Sequence, residues 1–145
     1  MTLPPLENLV KSGQLKLEKP NQAEFDGLLK SGSARLNDAG KDSLSPESRF
    51  DLAYNAAHAL SLAALRWHGY RPDNRRYIVF QALQHTLGMP PEQWRILDKA
   101  HGNRNLAEYD GQVEVDAQLL VELIKVAHTL RAKVAGLGPV PPKTP

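Results

Sequence analysis

Apolar residues recur every three or four positions along most of this chain, the period of an α-helix that buries one face. They hardly ever recur every two, the period of a half-buried strand. The clearest run is Phe50, Ala53, Ala57, Leu60, Ala64 and Trp67. It follows Ser45-Pro46, a capping residue and a first-turn proline, so the spacing predicts a helix opening at that point. A second set, Leu52, Ala56, Ala59, Leu62 and Ala63, makes the same helix apolar on its flank. Such a helix lies at the centre of its own bundle or beneath a second subunit.

The flanking segments carry their own start and stop signals. Asn21 and Glu24 have the spacing of a capping box and open a helix that Gly40 ends near Ala39. A short element from Leu6 to about Leu17 precedes Pro20. Asn74 begins a helix carrying Ile78, Val79, Ala82, Leu83 and Leu87 that closes at Gly88. Pro91 opens another, which buries Trp94, Leu97 and Ala100 and runs to about Tyr109. Asp110-Gly111 then turns into a last helix with Leu120, Leu123, Ala127, Leu130 and Val134 at heptad-like spacing. Strand and hairpin signals are scarce. The pattern predicts an all-α chain with four long helices plus a shorter N-terminal helix, arranged as an up-down bundle. It divides the chain into a short helix and linker over 1–21, the bundle over 22–136, and a Pro-rich disordered tail over 137–145.

Composition changes this picture only by exclusion. A chain of 145 residues with 41% hydrophobic and 23% charged residues fits one domain with one core. No apolar run approaches the roughly 20 residues that span a bilayer, so no membrane association is expected. The start MTLPPLENLV lacks the features of a signal peptide, and the chain has no cysteine for disulfides or thiolate metal sites. These features predict a cytoplasmic protein. The net charge of +2 permits a nucleic-acid partner without requiring one.

Most catalytic signatures are missing from the sequence. It has no Gly-rich phosphate loop, dinucleotide fingerprint or nucleophile elbow, and no cofactor is expected. His58, His68, His85, His101 and His128 never fall at one-face spacing with another histidine, so a metal site is not expected either. Two polar stretches remain. Arg66 to Tyr77 sets four arginines and three aromatics against the single acid Asp73. Its Arg71, Arg75 and Arg76 could meet phosphates at an RNA-facing edge, or they could simply solvate a turn. The second stretch is HGNRNLAEYDG, residues 101–111. Arg104 and Tyr109, five residues apart, do not share a helix face, so a joint site needs a bent end or a facing subunit. The alternative is an Arg104–Glu108 pair at i,i+4 with no chemistry.

Arg104-Asn105, followed by Tyr109 near the end of the penultimate long helix, resembles the ribonuclease motif of the HEPN family. That motif is an arginine, a polar residue, three variable positions and a histidine. Ser45 to Ala59 with Gly69-Tyr70-Arg71-Pro72, and Phe80 to Gly88, are similar to the central and following helices of such chains. The resemblance covers about residues 22 to 135. It implies a homodimeric, metal-independent ribonuclease of toxin–antitoxin or defence type, with Arg104, Asn105 and Tyr109 lining a cleft between subunits. The ligand would be RNA or a nucleotide. The departure is Tyr109 where the motif has histidine, because a phenol with an ordinary pKa near about 10 exchanges protons poorly at neutral pH. The alternative is a non-catalytic helical interaction module that dimerises or docks a protein partner such as an antitoxin.

Overall fold

A computed structural model describes residues 4–73, 78–110 and 115–141, and for 104–110 it describes the backbone alone. The chain is mostly helical. Four long helices, α2 (Gln22–Ala39), α3 (Pro46–Trp67), α6 (Pro91–Asp110) and α7 (Ala117–Ala135), pack together with the short α1 (Pro4–Lys11) and the single turns α4 (Ile78–Gln81) and α5 (Leu83–Thr86). None of the helices among the described residues is long and apolar enough to cross a membrane.

Local chemistry sets the helix ends. Asn21 caps α2 by accepting from the Glu24 N–H at 2.8 Å, Ser45 caps α3 through Ser48 N–H, and Asp116 caps α7 through the N–H groups of Gln118 and Leu119. The periodic positions are buried as their spacing predicts: Phe50, Ala53, Ala57, Leu60 and Ala64 on α3, and Leu120, Leu123, Ala127, Leu130 and Val134 on α7. Gly32 lets α2 approach α3 closely, since a Cβ there would stand 2.7 Å from Leu60 Cγ.

The flank of α3 is buried at its alanines: Ala56, Ala59 and Ala63 are covered within the single chain, while Leu52 and Leu62 are half-buried, and α3 is the central helix.

Three features depart from the sequence expectations. The element expected as one helix to Leu17 stops at Lys11. Gly13, at φ 83°, turns the chain into a strand, β1 (Leu15–Leu17), which pairs antiparallel with β2 (Tyr70–Pro72). Three residues are too few to show a two-residue period, and only Leu15 of β1 is buried.

The helix expected from Asn74 begins outside the described residues at 74–77, and from Ile78 it is divided at Ala82. Ile78, Val79, Phe80, Ala82 and Leu83 are all buried, so this segment is enclosed instead of resting on the core by one side.

The tail, expected to be disordered from 137, is packed as far as residue 141. Trp67 Nε1 donates to the carbonyls of Gly138 and Pro139 at 3.2 and 3.1 Å, the Val140 N–H donates to Gln22 Oε1 at 2.8 Å, and Leu137 and Val140 pack against the core. Backbone carbonyls and two apolar side chains hold a segment that its composition alone marks as loose.

Candidate functional site

The basic stretch at the α3–β2 turn is built as a knot. Arg66, the largest fully buried side chain, is 1% exposed. Its guanidinium donates to Glu24 Oε1 at 2.7 Å and to the carbonyls of Glu18, Lys19 and Tyr70 at 2.8, 2.6 and 3.2 Å. Arg71 donates to Glu18 Oε2 and Glu24 Oε2, both at 2.7 Å. Glu24 therefore gives its carboxylate to two arginines instead of closing the capping box. Burial would raise its pKa, but the bonds from Arg66 and Arg71 outweigh burial and hold it below the ordinary range. The Arg71 side chain bonds Glu18 and holds the Glu18 carboxyl low in the same way.

Arg71, read from the sequence as a phosphate contact, is thus engaged by two carboxylates. Arg75 and Arg76 lie outside the described residues. Gly69, at φ 89°, makes the tight turn that returns the chain from α3 to β2, where Arg71 pairs with Lys16 in the ladder and its side chain reaches Glu18.

The second polar cluster lies where α3, α4 and α6 meet. Tyr54, on α3 and wholly buried, has its hydroxyl 2.8 Å from His101 Nδ1 on α6. The two rings stack at 26° with centroids 6.2 Å apart. Phe80 of α4 meets Tyr54 and His58 edge-on, at 5.8 and 6.1 Å. One turn before His101, burial pushes the Asp98 carboxyl up, opposed by a hydrogen bond with Gln81 and by the charge of His101. A buried phenol, an imidazole and a half-buried carboxyl are groups that can hold and pass a proton.

The motif residues Arg104 and Asn105 follow His101 by three and four positions on the same helix, and Tyr109 lies in its last turn. Their side chains lie outside the described residues. The sequence reading passed over His101 because it looked for a second histidine. The available signal was Asp98 and His101, spaced to share a helix face. Tyr54, 47 residues away, has no such local signal.

A shallow groove of about 210 Å³ lies between Gln93 and Ile96 of α6 and Glu122, Lys125, Val126 and Thr129 of α7. Exposed Val121 is on α7 as well.

No protein-family model matches the chain, and no curated protein matches it.

Proposed function

We propose that this chain is a HEPN-like up-down bundle that acts as a homodimer, takes RNA or a nucleotide in a cleft between subunits, and cleaves RNA weakly without a metal, as a component of toxin–antitoxin or defence type. One observation carries the reading. The stretch with Arg104 and Asn105 is the continuation of α6, and one turn earlier that helix is tied to the central helix by the bond between Tyr54 and His101. A helix held in this way can present a phosphate-binding arginine in a fixed position, as a solvated turn cannot. The dimer rests on the resemblance, because the alanine flank of α3 is covered within one chain.

The test is cleavage of labelled single-stranded RNA in the presence of a chelator. Wild type is expected to cleave slowly, and Arg104→Ala is expected to lose both cleavage and affinity. Light scattering at micromolar concentration is expected to give a dimer mass, with an interface of roughly 1,600 Å² or more. A protein that neither binds nor cleaves RNA at low salt overturns the reading. The α6–α7 groove favours a second reading, a helical interaction module that docks a protein partner such as an antitoxin; a monomer without RNA affinity fits that one.

A further inference from the structure

The start of α2, the end of α3 and one extended segment meet on a face that shares no residue with the Tyr54–His101 cluster or the α6–α7 groove. α7 closes at Ala135 under its own Gly136 cap. Gly138, at φ 76°, then turns the chain, and the segment to Val140 lies against Trp67 and Gln22 without being helix or strand.

This seat holds the main chain of the segment. Trp67, half-buried, shares its one indole N–H between the carbonyls of Gly138 and Pro139, and Gln22 Oε1 accepts from the Val140 N–H while its amide donates to Asp26 Oδ1 at 2.8 Å. The His68 ring meets the indole edge-on at 4.9 Å, and its Nε2 lies 3.0 Å from the Thr86 carbonyl, which fixes the indole from one side. Pro139 and Pro141 have no N–H, so from 139 to 141 the segment offers a single donor, that of Val140, and the seat supplies its acceptor. A segment without these prolines brings two further N–H groups and loses the extended preference that proline imposes. Leu137 and Val140 add apolar contact with the core. Main-chain bonds joined to aliphatic anchors are how aromatic surfaces take up extended Pro-rich peptides.

The hold is slight. Among the described residues, three hydrogen bonds retain Gly138 to Val140, and two of them share one donor. Each such bond is worth about two- to tenfold in an equilibrium. We propose that this face is a recognition site for an extended segment of a partner protein, with prolines two apart around an aliphatic residue, and that residues 137–141 occupy it in cis until such a segment displaces them. An identical segment from a second copy has no advantage over one tethered beside the seat at a roughly millimolar effective concentration. A partner with a longer run of such residues has. RNA plays no part in the site.

The experiment uses the full chain and a blocked synthetic peptide, Leu-Gly-Pro-Val-Pro-Pro, with Leu-Gly-Ala-Val-Ala-Ala as control, read by NMR of the indole N–H groups. The chain has two tryptophans, and Trp94→Phe, which removes an indole N–H without a hydrogen-bond partner, tells their signals apart. Leu137→Ser with Val140→Ser should loosen the segment and move the Trp67 signal toward that of a solvated indole. The proline peptide should restore the signal and bind this chain about tenfold or more tighter than wild type, where it must first displace the segment. Each proline lost from the peptide should weaken binding about two- to fivefold.

Equal affinity for the two peptides, or no binding to the loosened chain, overturns the proposal. A wild-type dimer whose mass falls when peptide is added puts a second copy's segment in the seat and overturns the choice of a partner protein. If the double variant does not fold or keeps its segment seated, hydrogen exchange of wild type decides. Val140 N–H and the Trp67 indole should exchange through a local opening, at denaturant too dilute to unfold the bundle, and excess proline peptide should protect the indole while Val140 exchanges. Exchange of Val140 only with global unfolding, or an indole that the peptide leaves unprotected, makes the segment a fixed part of the fold and overturns the proposal.

Discussion

The Arg66 knot and the Tyr54–His101 cluster both set polar side chains inside a helical bundle, and they are made of different groups. In the knot a permanent cation meets two carboxylates and three main-chain carbonyls, and a second arginine closes the ring of charges. Nothing in it changes charge near neutral pH. The cluster at α3, α4 and α6 is built from a phenol, imidazoles and a carboxyl that burial pushes toward neutrality. Both lie where distant segments meet, but their composition separates a joint that holds the chain from a place where protons can move. The number of arginines in a stretch is therefore a poor guide to how much of its charge is available: Arg66 and Arg71 of the basic turn are paired internally, and the less conspicuous cluster keeps titratable groups.

Breaking the knot should give the largest effect. Arg66→Ala leaves the Glu24 carboxylate and the carbonyls of Glu18, Lys19 and Tyr70 without their donor, and the expected loss is about 3–5 kcal/mol of folding stability, read from denaturant midpoints. A loss below about 1 kcal/mol would mean that the knot is decoration. Tyr54→Phe removes one hydrogen bond and should cost about 0.5–1.5 kcal/mol.

The two regions should also respond to pH with opposite signs. Glu24 titrates below its ordinary 4.5 in the folded chain, so its contribution is full above that value and is lost as pH falls through the folded pKa. Glu24→Gln should flatten the acid loss of thermal stability. Asp98 titrates above its ordinary 3.8, so the folded chain holds its proton longer than the unfolded chain, and stability falls as pH rises through the folded value. Asp98→Asn should remove that decline and be neutral or stabilising at pH 7. Equal slopes for both variants would erase the distinction. The smallest expected effect concerns RNA. Arg75→Ala and Arg76→Ala should each flatten the salt dependence of affinity by about one unit or less.

Helices with one-sided apolar spacing were legible in the sequence because 3.6-residue periodicity is a local property: the α7 positions from Leu120 to Val134 and the α3 run from Phe50 to Ala64 are buried as spaced. What was missed depends on partners far along the chain. Leu15 to Leu17 form a strand because Tyr70 to Pro72 lie beside them, and the segment divided at Ala82 buries Ile78, Val79, Phe80, Ala82 and Leu83 against several elements at once. The same holds for chemistry. Arg104 and Asn105 can be picked out from neighbours within a few residues, but Tyr54 and His101 become a pair only when α3 and α6 dock. Arg71 looked available to a ligand because Glu18 and Glu24, its partners, are about 50 residues earlier.

The knot also bears on the order in which the chain folds. Joining the backbone near Glu18 to Arg66 closes a loop of 48 residues around α2 and α3, and closing a free loop of that length costs about 3.5 kcal/mol in chain entropy beyond a constant term. If α2 and α3 have already docked as neighbouring helices, most of that loss has been met before any bond of the knot forms. The knot is then a late event, absent from the rate-limiting barrier of folding and broken early in unfolding. Weakening it should leave the refolding rate almost unchanged and speed unfolding, so that the buried arginine governs how long the folded state persists rather than how fast it is reached.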